Sequence, residues 1–102
     1  MDIKLLRKKI RQDEYDLSHH AHKERQVDKI SIVEINNTIL KGDIIEEYPK
    51  DPRGSSCLVV TKSLHVVCGF RKERLLVVTV YRPELPTWID YKTRTKELKK
   101  RE

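Results

Sequence analysis

The chain has 102 residues, enough for one domain with a modest core, and its balance of 37% hydrophobic and 37% charged residues belongs to a folded chain, not a disordered one. A net charge of +6 suits nucleic acid or an acidic protein as partner. No stretch approaches the roughly 18 apolar residues of a membrane span, and the amphipathic start Met1–Arg7 lacks the apolar core of a secretory signal, so the expectation is a cytoplasmic protein without a membrane partner.

Ile3, Leu6 and Ile10 recur at helical spacing and predict a short amphipathic helix over residues 2–12. Ser18 can cap a second helix from His19 to about Val27. Ser31 and Glu34 have the spacing of a capping box, in which each side chain satisfies the other's free backbone donor. The helix they open carries Ile32, Ile35 and Ile39 on one face and stops at Gly42.

After Gly42 the period changes to that of strands. β-branched runs predict four of them, at Asp43–Tyr48, Ser56–Thr61, Leu64–Phe70 and Leu75–Tyr81. A tight hairpin at Lys62-Ser63 sets Cys57 opposite Cys68 and Val60 opposite His65. The next connection, Arg71–Arg74, sets Val80 opposite His65 and Val78 opposite Val67. One sheet face then carries Cys57, Val59, Leu64, Val66, Cys68, Phe70, Leu75, Val77 and Tyr81. The other carries Leu58, Val60, His65, Val67, Leu76, Val78 and Val80. With both faces apolar, helices should cover one, and the C-terminal segment, a second copy in a homodimer or a partner the other. The fold class expected is α+β, N-terminal helices on a four-stranded, mostly antiparallel sheet, with residues 1–90 as the domain and 91–102 as a basic tail. Residues 92–102 hold six Lys or Arg against two Glu, a local balance of +4. The two cysteines form neither a zinc motif nor a secreted framework and should be buried thiols.

The loop Tyr48–Cys57 carries the strongest functional signal. Pro49 and Pro52 stiffen it and Gly54 allows a turn, so Arg53 is presented in a defined place, either to a phosphate or carboxylate or in a pair with Asp51. His20 and Glu24 are spaced i, i+4 and can pair, as an acid–base unit or as a structural tie at a helix start. His19, His20 and His22 have no Cys or Asp cluster at ligand spacing, so neither a metal nor another cofactor is expected. His65 on a central strand is either a hydrogen-bonded core residue or a catalyst near Tyr81 and Arg82. Tyr81 can move a proton, stack on a base or anchor the sheet edge, and Trp88 can pin the C-terminal segment or stack on RNA.

His20-Ala21 with Glu24-Arg25, then Ile44–Pro49, Asp51–Gly54, Ser56–Leu58, His65–Val67, Thr79–Tyr81, Pro83 and Trp88 follow one another in an order that resembles a family of small bacterial proteins of unknown function. That family shares a Y-P-x-D-x-R-G-x-S-C-L run, and the resemblance spans about residues 15–94. Its members are similar in predicted fold to the RelE/ParE-type toxins, and some are encoded beside zinc-finger antitoxins. The chain departs from the pattern in His19 and His22 and in its short Lys62-Ser63 turn.

The resemblance implies a toxin-like domain with an antitoxin protein and RNA as partners, and a metal-independent mRNA endoribonuclease as its activity. In that reading His20 or His65 is base or acid, Glu24 orients a histidine, and Tyr81 belongs to the catalytic group. Arg53, with Arg25 or Arg82, holds phosphate, and Trp88 and Arg94 add RNA contacts. The alternative is a non-enzymatic binding module acting through its sheet face and basic tail.

Overall fold

The computed structural model describes residues 1–52, 54–84 and 92. Three helices, α1 (Ile3–Arg11), α2 (His19–Val27) and α3 (Ile32–Lys41), accompany five strands, β1 (Tyr15–Leu17), β2 (Asp43–Tyr48), β3 (Ser56–Val60), β4 (His65–Arg71) and β5 (Arg74–Tyr81). Asp2, Ser18 and Ser31 cap the three helices, each side chain accepting a first-turn amide. The expected capping box is only half formed. Ser31 Oγ accepts the Glu34 amide at 3.0 Å, but the Glu34 carboxylate leaves its own helix for Arg82.

The sheet has one strand more than the four expected: it is five-stranded and mixed, in the order β1-β5-β4-β3-β2, with β1 and β5 parallel and the other three pairings antiparallel as expected. Tyr15–Leu17 is too short to give a periodic signal, and it becomes a strand because β5 offers it a parallel edge. Tertiary bonds hold it there. Leu75 donates to the Glu14 carbonyl at 3.0 Å, Ser18 donates to the Val77 carbonyl at 2.9 Å, and Arg74 grips Asp16 while reaching the Tyr15 carbonyl.

The β3–β4 register matches the hairpin expectation, with Cys57 opposite Cys68 and Val60 opposite His65. The β4–β5 register does so only near its turn. Phe70 meets Leu75 and Cys68 meets Val77, but a β-bulge then adds one residue to β5, so that Val67 faces Thr79 and His65 faces Tyr81. That extra residue exchanges the last two side chains between faces. Val80 joins the main core, which α1, α2 and α3 cover with Leu6, Ile10, Ala21, Ile35 and Ile39. Tyr81 turns to the second face, beside Leu58, Val60 and Val67.

Gly42 ends α3 for a reason other than the left-handed turn that helix-terminal glycines favour. Its φ is −83° and its backbone extended, yet a Cβ there would stand 2.5 Å from both the Thr38 and Val60 carbonyl oxygens. Only a residue without a side chain lets the helix end meet β3 this closely. Arg7 secures the same corner from α1, donating to the Ile39 and Gly42 carbonyls.

Candidate active-site cleft

A cleft of about 450 Å³ opens on the second face of the sheet. Val67, Gly69, Leu76 and Val78 form its floor, Ser18 and His20 at the start of α2 form one wall, and Asp51, Gly54 and Ser55 of the proline-rich loop form another. Gly54 has φ of +109° and its amide bonds back to the Asp51 carbonyl at 2.9 Å, the turn anticipated from the sequence. Arg53 lies outside the described residues, as do Trp88 and Arg94. Its chain neighbour Gly54, and Asp51 two positions before it, line the same cleft as His20.

Glu24 links His20 to the sheet through one hydrogen bond and one close contact. The Val80 amide donates to Glu24 Oε1 at 3.1 Å, and Glu24 Oε2 stands 3.3 Å from His20 Nε2. The β5 edge is open to this contact because β1 ends at Leu17. Beyond it, side chains replace the missing strand: Ser18 Oγ donates to the Val78 carbonyl at 2.7 Å and Glu24 takes the next free amide. The carboxylate is therefore fixed by the sheet, while the imidazole it faces is 68% exposed. The first turn of α2 itself contains no acidic residue, Ser18 Oγ takes the Ala21 amide, and the Glu24 carboxylate of the next turn faces His20.

The other candidate residues lie elsewhere. His65 is 0% exposed, and its Nδ1 is 3.2 Å from the Tyr81 hydroxyl, with the ring centroids 5.1 Å apart. The two sit one row along the second face from Val67 and Thr79, outside the cleft lining. Arg82 is engaged by Glu34, with further bonds to the Ser63 and Lys29 carbonyls. Arg25 is half-buried, its Nε shielded from water and without a hydrogen-bond partner among the described residues. The structure thus brings together His20, Glu24 and the loop around Arg53, and separates them from His65, Tyr81 and Arg82.

Ser56 belongs to the Tyr48–Leu58 run that stands out in the sequence but has no role of its own there, and Gly69 gives no functional signal in the sequence. Both look like ordinary members of strands, and only the pairing of Ser56 with Gly69 across β3 and β4 sets them side by side on the cleft floor. Cys57 and Cys68 are free, buried thiols. Burial pushes Cys57 up to about 11 and Cys68 well above the ordinary thiol range, so neither is a thiolate at neutral pH.

Among the described residues, no group of three or more His, Cys, Asp or Glu could hold a metal ion, and no helix is long and apolar enough to cross a membrane. The family model for DUF4258, a domain of unknown function, matches residues 17–82. The chain belongs to the DUF4258 family. No curated protein and no solved structure matches it. The DUF4258 match takes in His20, Glu24, Arg25, Arg53, His65, Tyr81 and Arg82 and ends before Trp88 and Arg94. Every cleft-lining residue named above falls within the DUF4258 segment, whereas α1 lies before it.

Proposed function

We propose that this chain is a toxin-like, RelE/ParE-related RNA-cleaving domain that works without a metal, with His20 at its reactive centre. The observation that carries this reading is the relay from the Val80 amide through Glu24 to His20, set at the wall of a cleft bordered by the loop that contains Arg53. In this reading the proton on Nε2 faces the carboxylate, and Nδ1 is the ring nitrogen that carries the lone pair.

In this mechanism Nδ1 takes the proton of a ribose 2′-hydroxyl, and the 2′-oxygen attacks the adjacent phosphorus. The bond to the 5′-oxygen breaks, that oxygen takes a proton from water, and a 2′,3′-cyclic phosphate remains. Glu24 steadies the imidazolium, while Arg53 and the α2 amides stabilise charge on the phosphate oxygens. His65, buried against Tyr81, organises the sheet beside the cleft.

The test is cleavage of single-stranded RNA by the purified protein in excess chelator, alongside growth and RNA decay on expression. His20→Ala and Arg53→Ala should each cut the rate by about a hundredfold or more, with unchanged circular dichroism. Equal cleavage by parent and His20→Ala sinks the reading. A second reading, a non-enzymatic module that holds a protein such as an antitoxin, draws on the apolar cleft floor of Val67, Leu76 and Val78. It predicts no RNA decay, and partner binding that is lost when residues 92–102 are removed.

A further inference from the structure

Two features of the cleft floor, a glycine and a hydroxyl, bear on what the cleft can hold. Gly69 lies in the middle of β4, a central strand, where glycine weakens pairing and commonly marks the close approach of a ligand or another backbone. A Cβ there would come 3.3 Å from the Ser55 carbonyl oxygen and 3.9 Å from Val78, so any larger side chain would project into the space between the loop and β5. Directly across the ladder stands Ser56, only 6% exposed. Its Oγ is shielded from water and has no hydrogen-bond partner among the described residues. A buried hydroxyl without a partner costs stability, and such groups in folded chains call for a reason.

From these we infer that the cleft floor is a base pocket: a single heterocyclic base of the RNA substrate lies over Gly69, and the Ser56 hydroxyl turns about χ1 to bond its edge. The inference rests on the RNA-cleaving reading and names what its cleft selects. Turning the hydroxyl breaks no bond among the described residues, and the staggered wells of a serine side chain make the rotation easy. The ligand must be apolar on its faces, to lie against Val67, Leu76 and Val78, and polar at its rim, to satisfy Ser56. A nucleobase has that character, and an aliphatic side chain does not. With the base over Gly69, its sugar and phosphate extend to the cleft wall, where His20 and the first turn of α2 stand.

The experiment is an amide NMR titration of the full chain with AMP, GMP, CMP and UMP, run beside the RNA cleavage assay on the four homopolymers. The expected result is saturable shifts at Ser55, Ser56, Gly69 and Thr79, with one nucleotide preferred by about tenfold or more. Ser56→Ala should reduce that preference to about threefold or less, since a lost hydrogen bond of this kind is a modest but selective term. Gly69→Val should abolish the shifts at the remaining positions, and Gly69→Ala, the smaller step, should weaken them if the valine variant fails to fold.

Nucleotide binding with these features but no RNA cleavage would keep the pocket and remove the nuclease reading. Cleavage that depends on His20, with all four nucleotides bound equally or not at all, would keep the nuclease and overturn the pocket. Shifts at Ser56 and Gly69 produced by a co-purified protein, and by none of the nucleotides, would overturn it in favour of a protein-docking cleft.

Discussion

Arg82 and Glu34 are 48 residues apart in the chain and meet in two hydrogen bonds, Nη1 to Oε2 at 2.7 Å and Nη2 to Oε1 at 3.0 Å. The guanidinium also reaches the Ser63 carbonyl at 3.2 Å, so one side chain ties the end of β5 to the start of α3 and to the β3–β4 hairpin.

That arrangement makes Arg82 a structural clamp. A double-mutant cycle with Arg82→Ala and Glu34→Ala should give a coupling of about 1 kcal/mol in urea unfolding, the upper range for a partly exposed pair with two-point geometry. Arg82→Ala should cost more than Glu34→Ala, because it alone also removes the bond to the Ser63 carbonyl. A coupling near zero would return Arg82 to the residues free to meet RNA.

Stability should also fall on the acid side. Hydrogen bonding to Arg82 holds the Glu34 carboxyl below its ordinary value, and hydrogen bonding to Arg74 does the same for Asp16. A depressed folded-state value means the unfolded chain binds the proton more readily. The contribution is therefore complete above the ordinary carboxyl range and is lost as pH drops through the depressed values. Urea midpoints measured from neutral pH down to about pH 3 should decline in the parent and decline less in Glu34→Gln combined with Asp16→Asn.

Gly42 predicts the opposite of the usual helix-terminal substitution. Because its φ is ordinary, alanine should be tolerated on backbone grounds. It is instead expected to cost about 3 kcal/mol, since its Cβ would press on two carbonyl oxygens that belong to backbone and cannot swing aside. Thermal unfolding of Gly42→Ala measures it, and a loss under about 1 kcal/mol would mean that α3 can shift away from β3.

The β4–β5 turn offers a gain. Lys72 and Glu73 have φ of 51° and 67°, a pair of positive values that non-glycine residues adopt at a cost and that the right-handed twist of a two-residue hairpin demands. Lys72→Asn with Glu73→Gly should raise stability by about 1 kcal/mol, read as a higher urea midpoint at unchanged slope.

Much of the frame was legible in the residues. The serine caps, the apolar spacing of α1 and α3, and the Lys62-Ser63 hairpin are local patterns, and local patterns settled those elements. So was the His20–Glu24 spacing, which a helix turns into proximity. Three features were not legible, because each is decided between segments. The three residues of β1 form a strand only on the edge that β5 provides. Glu34 keeps its helix start but yields its carboxylate to Arg82, a stronger partner than a backbone amide. The Val80 amide reaches Glu24 only because β1 stops short, and no residue near either one announces that contact. Ser56 and Gly69 belong with them, since a serine and a glycine in strands become a cleft floor only through their pairing.

The single extra residue in β5 has a wider consequence. It resets the pleat's phase midway along the strand, so upstream side chains follow one parity and downstream ones the other. Removing one residue between Val77 and Val80 would send Tyr81 inward against the helices, Val80 outward, and the amide that steadies Glu24 to the wrong edge, all at once. Lengthening the Lys72-Glu73 turn disturbs none of these. Variation along this chain should therefore accumulate at that tip, while the count of residues between Leu75 and Tyr81 stays fixed.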